Sequence, residues 1–375
     1  MDHPALENRL QSEIDTLVSK NKDVFNVVLG ITNIKGDFYW SGAAGTAYAD
    51  QTEAMKVDTP IFIASITKMY TSAVTMILEE RDRLSLDDPI SKFLPNNLCE
   101  GLHRYKGFDY SDQLKIYHLV SQTSGLPDYF MEKPQSGQSM FDRLIADGDM
   151  GWEVADVVDI AKNISPKFQP ESKDQAKYDK KAYYSDTNYQ LLGSVLESVA
   201  HKPLQDIFTE YIIEPLELTS TYLHGYSGTQ TTPGIQPANI YYKTKALYLD
   251  KAMTSFGPDG GLVSNIEDSL KFLKSLLEGK LFVDPSTLER MKSWRKIFFP
   301  FQYGLGLMRF QLPKIFSPFS PNPELIGHSG STSAFLFYSD IGQLYIGGTL
   351  NQIENQGRPF RLMLKIIKIL DELVS

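Results

Sequence analysis

Cysteine is almost absent from this sequence, which contains only Cys99 among its 375 residues. A single cysteine excludes an internal disulfide, and no group of cysteines and histidines has the spacing of a structural zinc site. We therefore interpret Cys99 as an incidental residue in a loop. Long apolar runs are missing as well, since none reaches the roughly 18 residues that indicate a membrane-spanning helix.

The motifs of several large enzyme classes are also absent. The sequence has no Gly-x-Ser-x-Gly elbow, no His-Glu-x-x-His zinc motif and no phosphate-binding loop. Gly304-Leu305-Gly306 is too short and wrongly placed for a dinucleotide-binding fingerprint. These absences argue against an ordinary α/β-hydrolase, a zinc hydrolase and a nucleotide-dependent enzyme.

Basic residues are fewer than acidic ones: the sequence has 37 lysines and arginines and 46 aspartates and glutamates, which gives a net charge of −9. This balance argues against a surface for nucleic acid or anionic membranes. The polar N-terminus, Met1 to Asn8, lacks the basic and apolar regions of a signal peptide. We therefore expect a cytoplasmic protein on the sequence given, or a secreted or periplasmic one if a signal peptide has been removed.

The order of secondary-structure patterns indicates a mixed α+β fold. Helical patterns are predicted at 6–17, from Ser65 onward, at 152–160, at 189–197 and at 359–374. Strand patterns are predicted at 24–32, 37–41, 304–310, 334–338 and 343–350. Loops are predicted at 127–150 and 165–181.

This order predicts an antiparallel sheet built from both chain ends and flanked by N- and C-terminal helices, with a mostly helical domain inserted between them. A chain of 375 residues exceeds the usual size of a single hydrophobic core. We expect residues 1–85 and 250–375 to form the α/β sheet domain and residues 86–249 to form the inserted helical domain. The active site would lie at their interface.

Ser65-Ile66-Thr67-Lys68 places a hydroxyl and an amine three residues apart at the start of a helical pattern. Residues at this spacing share a helix face, so the Lys68 amine would reach the Ser65 hydroxyl. A serine hydroxyl becomes a useful nucleophile only beside a general base. At a helix N-terminus, free backbone N–H groups and the helix dipole favour the negative charge that develops during attack.

The same spacing recurs at Ser19 to Lys22 and at Ser293 to Lys296. Neither match is followed by a suitable helical pattern, so both serines are best interpreted as solvated surface residues. For Ser65 the simpler alternative is a helix cap with a surface lysine one turn later. Short motifs match by chance often enough that the local sequence does not separate these two interpretations.

Two further segments carry groups that suit the same chemistry. Tyr184-Ser185-Asp186-Thr187-Asn188 opens a helical pattern, which places the Tyr184 hydroxyl at a junction between loop and helix. Gly327-His328-Ser329-Gly330-Ser331 precedes a strand pattern, and a glycine there permits a ligand or another backbone to approach closely. Taken singly, these segments also fit a packed tyrosine with a capping side chain and a strand-entry turn with an exposed His328.

Taken jointly, the three segments resemble the serine β-lactamase and penicillin-recognising superfamily. The likeness is greatest to its branch of class C β-lactamases, D,D-peptidases and family VIII carboxylesterases. Related class A enzymes carry the motifs Ser-x-x-Lys, Ser-Asp-Asn and Lys-Thr-Gly. Further segments that look like this branch are Leu84–Ile90, Thr123–Pro127, Gly260–Ser264 and Tyr303–Gly306. The resemblance spans residues 25–355 in the expected order.

The resemblance implies that Ser65 is the acylated nucleophile and that Lys68 and Tyr184 share the proton transfers. A lysine ammonium beside a phenol lowers the phenol pKa from its usual value of about 10. The backbone N–H groups of Ser65 and Ser331 would form the oxyanion hole. No metal or organic cofactor is expected. The residues expected to bind substrate are Asp186, Asn188, His328, Ser329 and Gly330.

Two positions depart from the pattern of the superfamily. Asp186 stands where the second motif usually ends in asparagine, and its carboxylate could hold Lys68 protonated, which would favour Tyr184 as the base. Alternatively Asp186 faces away and Asn188 supplies the nearby amide. His328 stands where β-lactamases have a lysine that helps to recognise the substrate carboxylate. A histidine is mostly neutral at neutral pH, so attraction for a carboxylate should be weaker.

We therefore expect a serine hydrolase of carboxylesterase-like activity that forms an acyl-enzyme on small esters or amides. The alternatives are a β-lactamase or a D,D-peptidase or D-aminoacyl peptidase, and a non-catalytic sensor or binding module of the same fold. The expected partner is a small ester, lactam or peptide, with no nucleic acid, no membrane span and a monomeric state. Tyr129, Phe130 and Trp152 are candidates for an apolar acyl pocket, although core packing explains some of them equally well.

Overall fold

The computed structural model describes residues 3–50, 52–135, 137–171, 181–226, 236–313, 315 and 322–374. The α-helices in these ranges are α1 (His3–Lys20), α2 (Thr67–Glu80), α3 (Asn96–Cys99), α4 (Ile116–Val120), α5 (Met140–Asp147), α6 (Val154–Lys162), α7 (Asp186–Ala200), α8 (Leu204–Phe208), α9 (Asp250–Gly260), α10 (Ile266–Leu277), α11 (Pro285–Met291) and α12 (Arg358–Val374). None of these described helices has the length and apolar character needed to cross a membrane.

The strands in the same ranges belong to one large sheet and three small ones. They are β1 (Asn26–Asn33), β2 (Tyr39–Gly45), β3 (Ile61–Phe62), β4 (Arg104–Tyr105), β5 (Phe108–Asp109), β6 (Tyr222–Leu223), β7 (Ile240–Tyr242), β8 (Lys245–Leu247), β9 (Leu262–Ser264), β10 (Arg295–Lys296), β11 (Phe301–Tyr303), β12 (Met308–Phe310), β13 (Leu325–Ser329), β14 (Phe335–Ser339) and β15 (Leu344–Thr349).

The large sheet is antiparallel and joins the two ends of the chain, as the sequence predicts. Its strand order is β10-β11-β12-β13-β14-β15-β1-β2. The ends meet where β1 pairs with β15, with Val28 opposite Thr349 and Ile31 opposite Ile346. Both sides of β1 are buried along most of its length, since helices cover both faces of the sheet.

The terminal helices α1 and α12 cover one face of this sheet, and α10 covers the other. α1 packs on β1 and β2, and α12 packs on β15. An ion pair between Arg9 and Glu372 links the two terminal helices at 3.1 Å. On the opposite face, Ile266 and Leu270 of α10 pack over Gly30, where an added Cβ would lie 2.6 Å from the Ile266 side chain. The predicted mixed fold with helices from both termini on the sheet is therefore confirmed.

The middle of the chain is mostly helical and packs beside the sheet. α7 is its central helix, because it contacts α2, α4, α6, α8 and α9. The three-stranded sheet β3-β9-β6 combines residues from before, within and after the inserted segment. The domain boundaries predicted at residues 86 and 249 stay a prediction.

Several local predictions need correction. The pattern at 304–310 is not one strand, because Gly306 adopts a positive φ of 78° and turns the chain between β11 and β12. The predicted loop at 127–150 contains α5, whose cap is the Ser139 hydroxyl accepting from the Asp142 N–H. Cys99 is buried at the end of α3 rather than placed in a loop. Of the loop predicted at 165–181, residues 172–180 lie outside the described residues.

Candidate active site

Ser65 lies in a tight turn that leads directly into α2. The turn is a 3-10 segment, Ala64–Ile66, and α2 begins two residues after Ser65. Ala64 has a positive φ of 48°, an uncommon conformation for a residue with a side chain. This backbone presents the half-buried Ser65 to a cavity while α2 continues into the protein interior.

Lys68 lies one turn later and is fully buried. Its Nζ atom is 3.2 Å from Ser65 Oγ and 2.7 Å from the Oδ1 atom of Asp186. The same ammonium donates to the backbone carbonyl of Asp259 at 2.7 Å. Burial by itself lowers the pKa of Lys68, but the charges of Asp186, Tyr184 and Asp259 and the hydrogen bond with Asp186 together outweigh burial and leave the pKa well above its usual value. Lys68 is therefore a buried cation held by a carboxylate and a carbonyl.

Tyr184 precedes α7, and its half-buried ring faces the same ammonium. Lys68 Nζ is 5.3 Å from the centre of the ring. Burial raises the pKa of the Tyr184 phenol, and the positive charge of Lys68 and hydrogen bonds with Ser65 and Lys68 offset this only in part. The phenol is thus protonated at neutral pH and stands beside the Ser65 hydroxyl and the Lys68 ammonium.

Asp186 is the first residue of α7, and the loop before α5 fixes its position. Its backbone N–H donates to the carboxylate of Asp128 at 2.9 Å. The other oxygen of Asp128 accepts the N–H groups of Phe130 and Met131, each at 2.8 Å. Burial, together with the negative charge of Asp186, raises the pKa of Asp128 to about 7. The helix start that carries Asp186 is thereby tied to a second buried carboxyl group.

Asp128 and Asp259 had not been identified from the sequence as part of the site. Burial and the charge of Asp186 raise the pKa of Asp259, whose carboxylate accepts from Gln190 at 2.9 Å. Each residue adjoins a segment noted above for its family likeness, since Asp128 follows Pro127 and Asp259 precedes Gly260. That adjacency is the signal in the sequence from which both could have been found.

His328 is buried within β13, in contrast to the exposed strand-entry position considered above. Its Nδ1–H donates to the backbone carbonyl of Ser329 at 2.7 Å, which leaves Nε2 unprotonated and 3.4 Å from the Tyr303 hydroxyl. Burial, aided by the positive charge of Lys68, lowers the pKa of His328 to about 3. His328 is therefore neutral and lies behind the cavity wall, so it does not meet the expectation of a substrate-binding side chain.

The residues after His328 reach the cavity directly. Ser329, Gly330 and Ser331 all line it beside Ser65. An added Cβ on Gly330 would lie 2.8 Å from the carbonyl of Ile63 and 2.9 Å from the Ala64 side chain. Glycine thus permits the end of β13 to pack against the turn that carries Ser65, which brings the Ser331 segment close to the nucleophile.

Asn188 is placed differently from its expected substrate-binding role. Its side chain is fully buried, accepts from the Ser124 hydroxyl at 2.6 Å and donates to Gln122 at 2.5 Å. Because α7 turns by about 100° per residue, Asp186 and Asn188 point in different directions. Asp186 therefore contacts Lys68, while Asn188 joins α7 to the loop after α4.

A cavity of about 880 Å³ lies over Ser65. Its walls are mainly aromatic and aliphatic side chains, and Phe130 is among them. Tyr129 and Trp152 belong to the same buried cluster as Phe130 but, unlike Phe130, do not line the cavity. Of the three aromatic candidates for an acyl pocket, the structure therefore brings one to the site.

A serine in a turn before a helix, a buried lysine one turn later and a tyrosine at the start of a neighbouring helix define the active-serine hydrolase class of penicillin-recognising folds. The family model described as Beta-lactamase matches residues 15–364. The chain therefore belongs to the beta-lactamase family, and it is a serine hydrolase of this superfamily.

Individual relatives are distant in sequence. The chain is 23% identical over 82% of its length to the putative penicillin-binding protein PbpX of Bacillus subtilis, covering 70% of that protein. It is 27% identical over 58% of its length to the esterase EstB of Burkholderia gladioli, covering 51% of that protein. Among solved structures, a D-stereospecific amidohydrolase from Streptomyces sp. superposes with a TM-score of 0.70 and 26% identity, covering 94% of this chain and 95% of that chain.

The alignments that extend over most of this chain cover 64 to 70% of the penicillin-binding and putative carboxypeptidase relatives. The relatives of this chain have different names, which include penicillin-binding protein, carboxypeptidase and esterase. Their names therefore do not indicate one common substrate. The family is shared among them, whereas the substrate of this chain has to be argued from its own site.

Proposed function

We propose that this protein is a carboxylesterase-like serine hydrolase that forms an acyl-enzyme through Ser65 on small esters or amides. The observation that carries the proposal is the 3.2 Å approach of Lys68 Nζ to Ser65 Oγ at the floor of an apolar cavity. This distance lies at the long end of hydrogen-bonding range, which is common in an empty active site.

Tyr184 and Lys68 act as one proton-transfer pair in the proposed reaction. Both groups are held protonated by their raised pKa values, so the pair becomes a base when it loses one proton. The pair then takes the Ser65 proton as Ser65 Oγ bonds to the substrate carbonyl carbon. Tyr184 delivers that proton to the leaving oxygen as its bond to carbon breaks. In deacylation the pair takes a proton from water as the water oxygen bonds to the acyl carbon, and returns it to Ser65 Oγ as the bond between that oxygen and the acyl carbon breaks.

The backbone N–H groups of Ser65 and Ser331 are proposed to stabilise the oxyanion that forms on the carbonyl oxygen. Their contribution is expected to be large, because donors fixed in advance need no reorganisation during the reaction. Packing of Gly330 against Ile63 and Ala64 supports this role, since it holds the two segments together.

The charges around the cavity favour an ester over a carboxylate-bearing lactam or peptide. Among the described residues that line the cavity, none is a lysine, an arginine or a histidine. Asp128, Asp186 and Asp259 do line it, and His328, which replaces the usual lysine, is neutral. A substrate carboxylate would therefore meet no accessible cation to bind it, because Lys68 is buried and paired with Asp186.

A second candidate is an amidase acting on amino-acid amides, and it rests on the carboxyl groups of Asp128, Asp186 and Asp259. These residues line the cavity, and their carboxyl oxygens would accept hydrogen bonds from the free ammonium group of such a substrate. A D-amino acid amidase from Ochrobactrum anthropi SV3 shares the fold, with a TM-score of 0.77 and 22% identity. Comparison of p-nitrophenyl esters, D-phenylalanine amide, nitrocefin and a D-alanyl peptide separates the candidates.

The nucleophile is tested by labelling with a fluorophosphonate probe. Ser65→Ala should abolish both ester turnover and labelling, whereas Ser293→Ala should leave both unchanged. Ser293 is a matched control because it also precedes a lysine by three residues, yet it is exposed on the surface. Undiminished labelling of Ser65→Ala would refute the assignment of the nucleophile, and a wild-type protein that is never labelled would favour a non-catalytic binding module.

A further inference from the structure

The cavity over Ser65 is lined by two separate aromatic clusters. The sheet-side cluster consists of Phe298, Phe301, Phe310 and Phe360, with ring centres 5.0 to 5.2 Å apart. The helix-side cluster consists of Phe130, Phe141 and Phe256, in which Phe130 lies 4.9 Å from Phe256 and 5.9 Å from Phe141. The cavity therefore offers apolar surface in two directions from the nucleophile.

The two clusters belong to different parts of the fold. Strands β11 and β12, the β10–β11 turn and helix α12 carry the sheet-side cluster. Helices α5 and α9 and the loop after Pro127 carry the helix-side cluster, to which Leu144, Leu249 and Met253 add aliphatic surface. Phe298 is 56% exposed, so the sheet-side cluster extends to the mouth of the cavity.

The position of Tyr184 indicates which part of a substrate enters each cluster. The strand-like segment before Tyr184 runs beside β10, where the Ala182 N–H donates to the Lys296 carbonyl at 2.8 Å. The Tyr184 ring also stands 5.7 Å from Tyr303 of β11. A proton donor has to stand at the leaving oxygen. The leaving alcohol therefore lies toward the sheet-side cluster, and the acyl chain lies toward the helix-side cluster.

We propose that the substrate is an uncharged carboxylic ester with an apolar group on each side of its carbonyl. The acyl chain binds the helix-side cluster and the alcohol binds the sheet-side cluster. This inference rests on the proposed serine esterase function and specifies its substrate. The cavity volume of about 880 Å³ is near the upper end of the roughly 300–1,000 Å³ usual for small-molecule sites, so both groups can be accommodated.

Two series of substrates test the proposal in the wild-type protein. The first series keeps a p-nitrophenyl alcohol and lengthens the acyl chain from acetyl to dodecanoyl. The second keeps an acetyl group and lengthens the alcohol from methyl to octyl, with acid release followed by a pH indicator. Since each buried methylene contributes about 0.8 kcal/mol, kcat/KM should rise up to about fourfold per methylene in both series until a cluster is filled.

Two cavity-filling variants test the assignment of the clusters. Leu249→Trp narrows the cavity beside the helix-side cluster. It should lower the ratio of kcat/KM between the best long-chain acyl ester and the acetyl ester at least tenfold, while the dependence on alcohol length is unchanged. Ile297, which lines the cavity next to Phe298, is the corresponding position beside the sheet-side cluster. Ile297→Trp should lower the dependence on alcohol length at least tenfold and leave the dependence on acyl length unchanged. Val283→Trp is the matched control, because Val283 is 91% exposed and does not line the cavity. Both series should be unchanged in this control.

A charged analogue tests the requirement for a neutral substrate. The p-nitrophenyl monoester of glutaric acid resembles the pentanoyl ester but ends in a carboxylate, and its kcat/KM should be at least tenfold lower. Preference for the charged ester, or equal effects of both tryptophan variants on both series, would overturn this inference. If Ser65 is labelled yet chain length has no effect, the substrate class is wrong and the serine mechanism stands. A protein without labelling or turnover would overturn the proposed function itself.

Discussion

The Lys68 ammonium lies 2.7 Å from the carboxylate of Asp186, and Asp186 occupies the position where the superfamily usually has an asparagine. The lysine is fully buried, and the Asp186 side chain is only 13% exposed. This ion pair decides the protonation state of the site, because the charge of Asp186 raises the pKa of both Lys68 and Tyr184. The departure from the motif therefore changes the electrostatic environment of the proposed proton-transfer pair.

Asp186→Asn should move the pH dependence of the enzyme. The wild-type kcat/KM is expected to rise toward alkaline pH, since the Lys68–Tyr184 pair has to lose a proton before it can act as a base. Removing the negative charge lowers the pKa of both groups. The acidic limb of kcat/KM should consequently shift by about 1–3 pH units to lower pH, as measured by steady-state kinetics with a neutral ester.

The control for this substitution is Asp147→Asn, an exposed aspartate at the end of α5. Its pH profile should coincide with that of the wild type. A profile of Asp186→Asn that also coincides with the wild type would contradict the role of the ion pair.

Lys68→Met should destabilise the protein as well as inactivate it. The substitution leaves the Asp186 carboxylate in a buried position without its cation, and breaking such a pair costs about 3–5 kcal/mol. Lys68→Met combined with Asp186→Asn should recover much of the lost stability but none of the activity. Urea unfolding measures the first effect and ester turnover the second. A double variant no more stable than Lys68→Met would show that the pair does not act as a unit.

Tyr184→Phe should reduce activity without weakening the fold. The phenylalanine keeps the ring contact with Tyr303 and loses only the hydroxyl that would carry the proton. General acid–base catalysis contributes about 10²–10⁴-fold, so kcat/KM should fall by that factor while Tm stays within a few degrees. Tyr338→Phe, on β14, is the matched control. Wild-type activity in Tyr184→Phe would assign the proton transfers to Lys68 alone.

His328→Asn should change how stability depends on pH. The pKa of His328 is about 3 in the folded protein, compared with about 6.5 for an unperturbed histidine. Between these values the unfolded chain binds a proton that the folded protein does not, so the contribution of His328 to stability is lost as pH falls from 6.5 toward 3.

The corresponding slope is about 1.4 kcal/mol per pH unit within this window. The difference in unfolding free energy between wild type and His328→Asn should therefore shrink by this amount per unit below pH 6, and stay constant above pH 7. Denaturant unfolding at several pH values measures it. A difference independent of pH would mean that His328 is charged or exposed in the folded protein.

Much of the fold was predictable because the patterns involved are local. The helical spacing from Leu6 to Leu17 and the alternation around β1 and β2 arise from side chains that face one neighbouring layer. The predicted strand at 304–310 is wrong because residues 304–307, in which Gly306 has a positive φ, form the turn between β11 and β12. Helix α5 was missed because the surrounding glycines and prolines resemble a continuous loop.

In the candidate site, too, local features could be predicted from the sequence and long-range contacts could not. Ser65 and Lys68 could be paired from the sequence, since three residues along a helical turn bring any two side chains to one face. The contacts of Lys68 with Asp186 and Asp259 could not be predicted from the sequence, because these residues are 118 and 191 positions away. The burial of His328 could not be predicted either, because it depends on how β13 packs against Tyr303 and the turn that carries Ser65.

The sequence by itself determined the family, the nucleophile candidate and the order of the motifs, because each motif consists of residues close together along the chain and their order can be compared without knowing how they pack. Only the tertiary structure decided that Asp186 faces Lys68, that Asn188 and His328 lie outside the cavity, and that the cavity walls are apolar and free of basic side chains among the described residues. The physical reason is that burial and electrostatic environment arise from segments that meet only after folding. The motif thus predicts a reactive serine, and the packing around it determines which substrates can reach that serine.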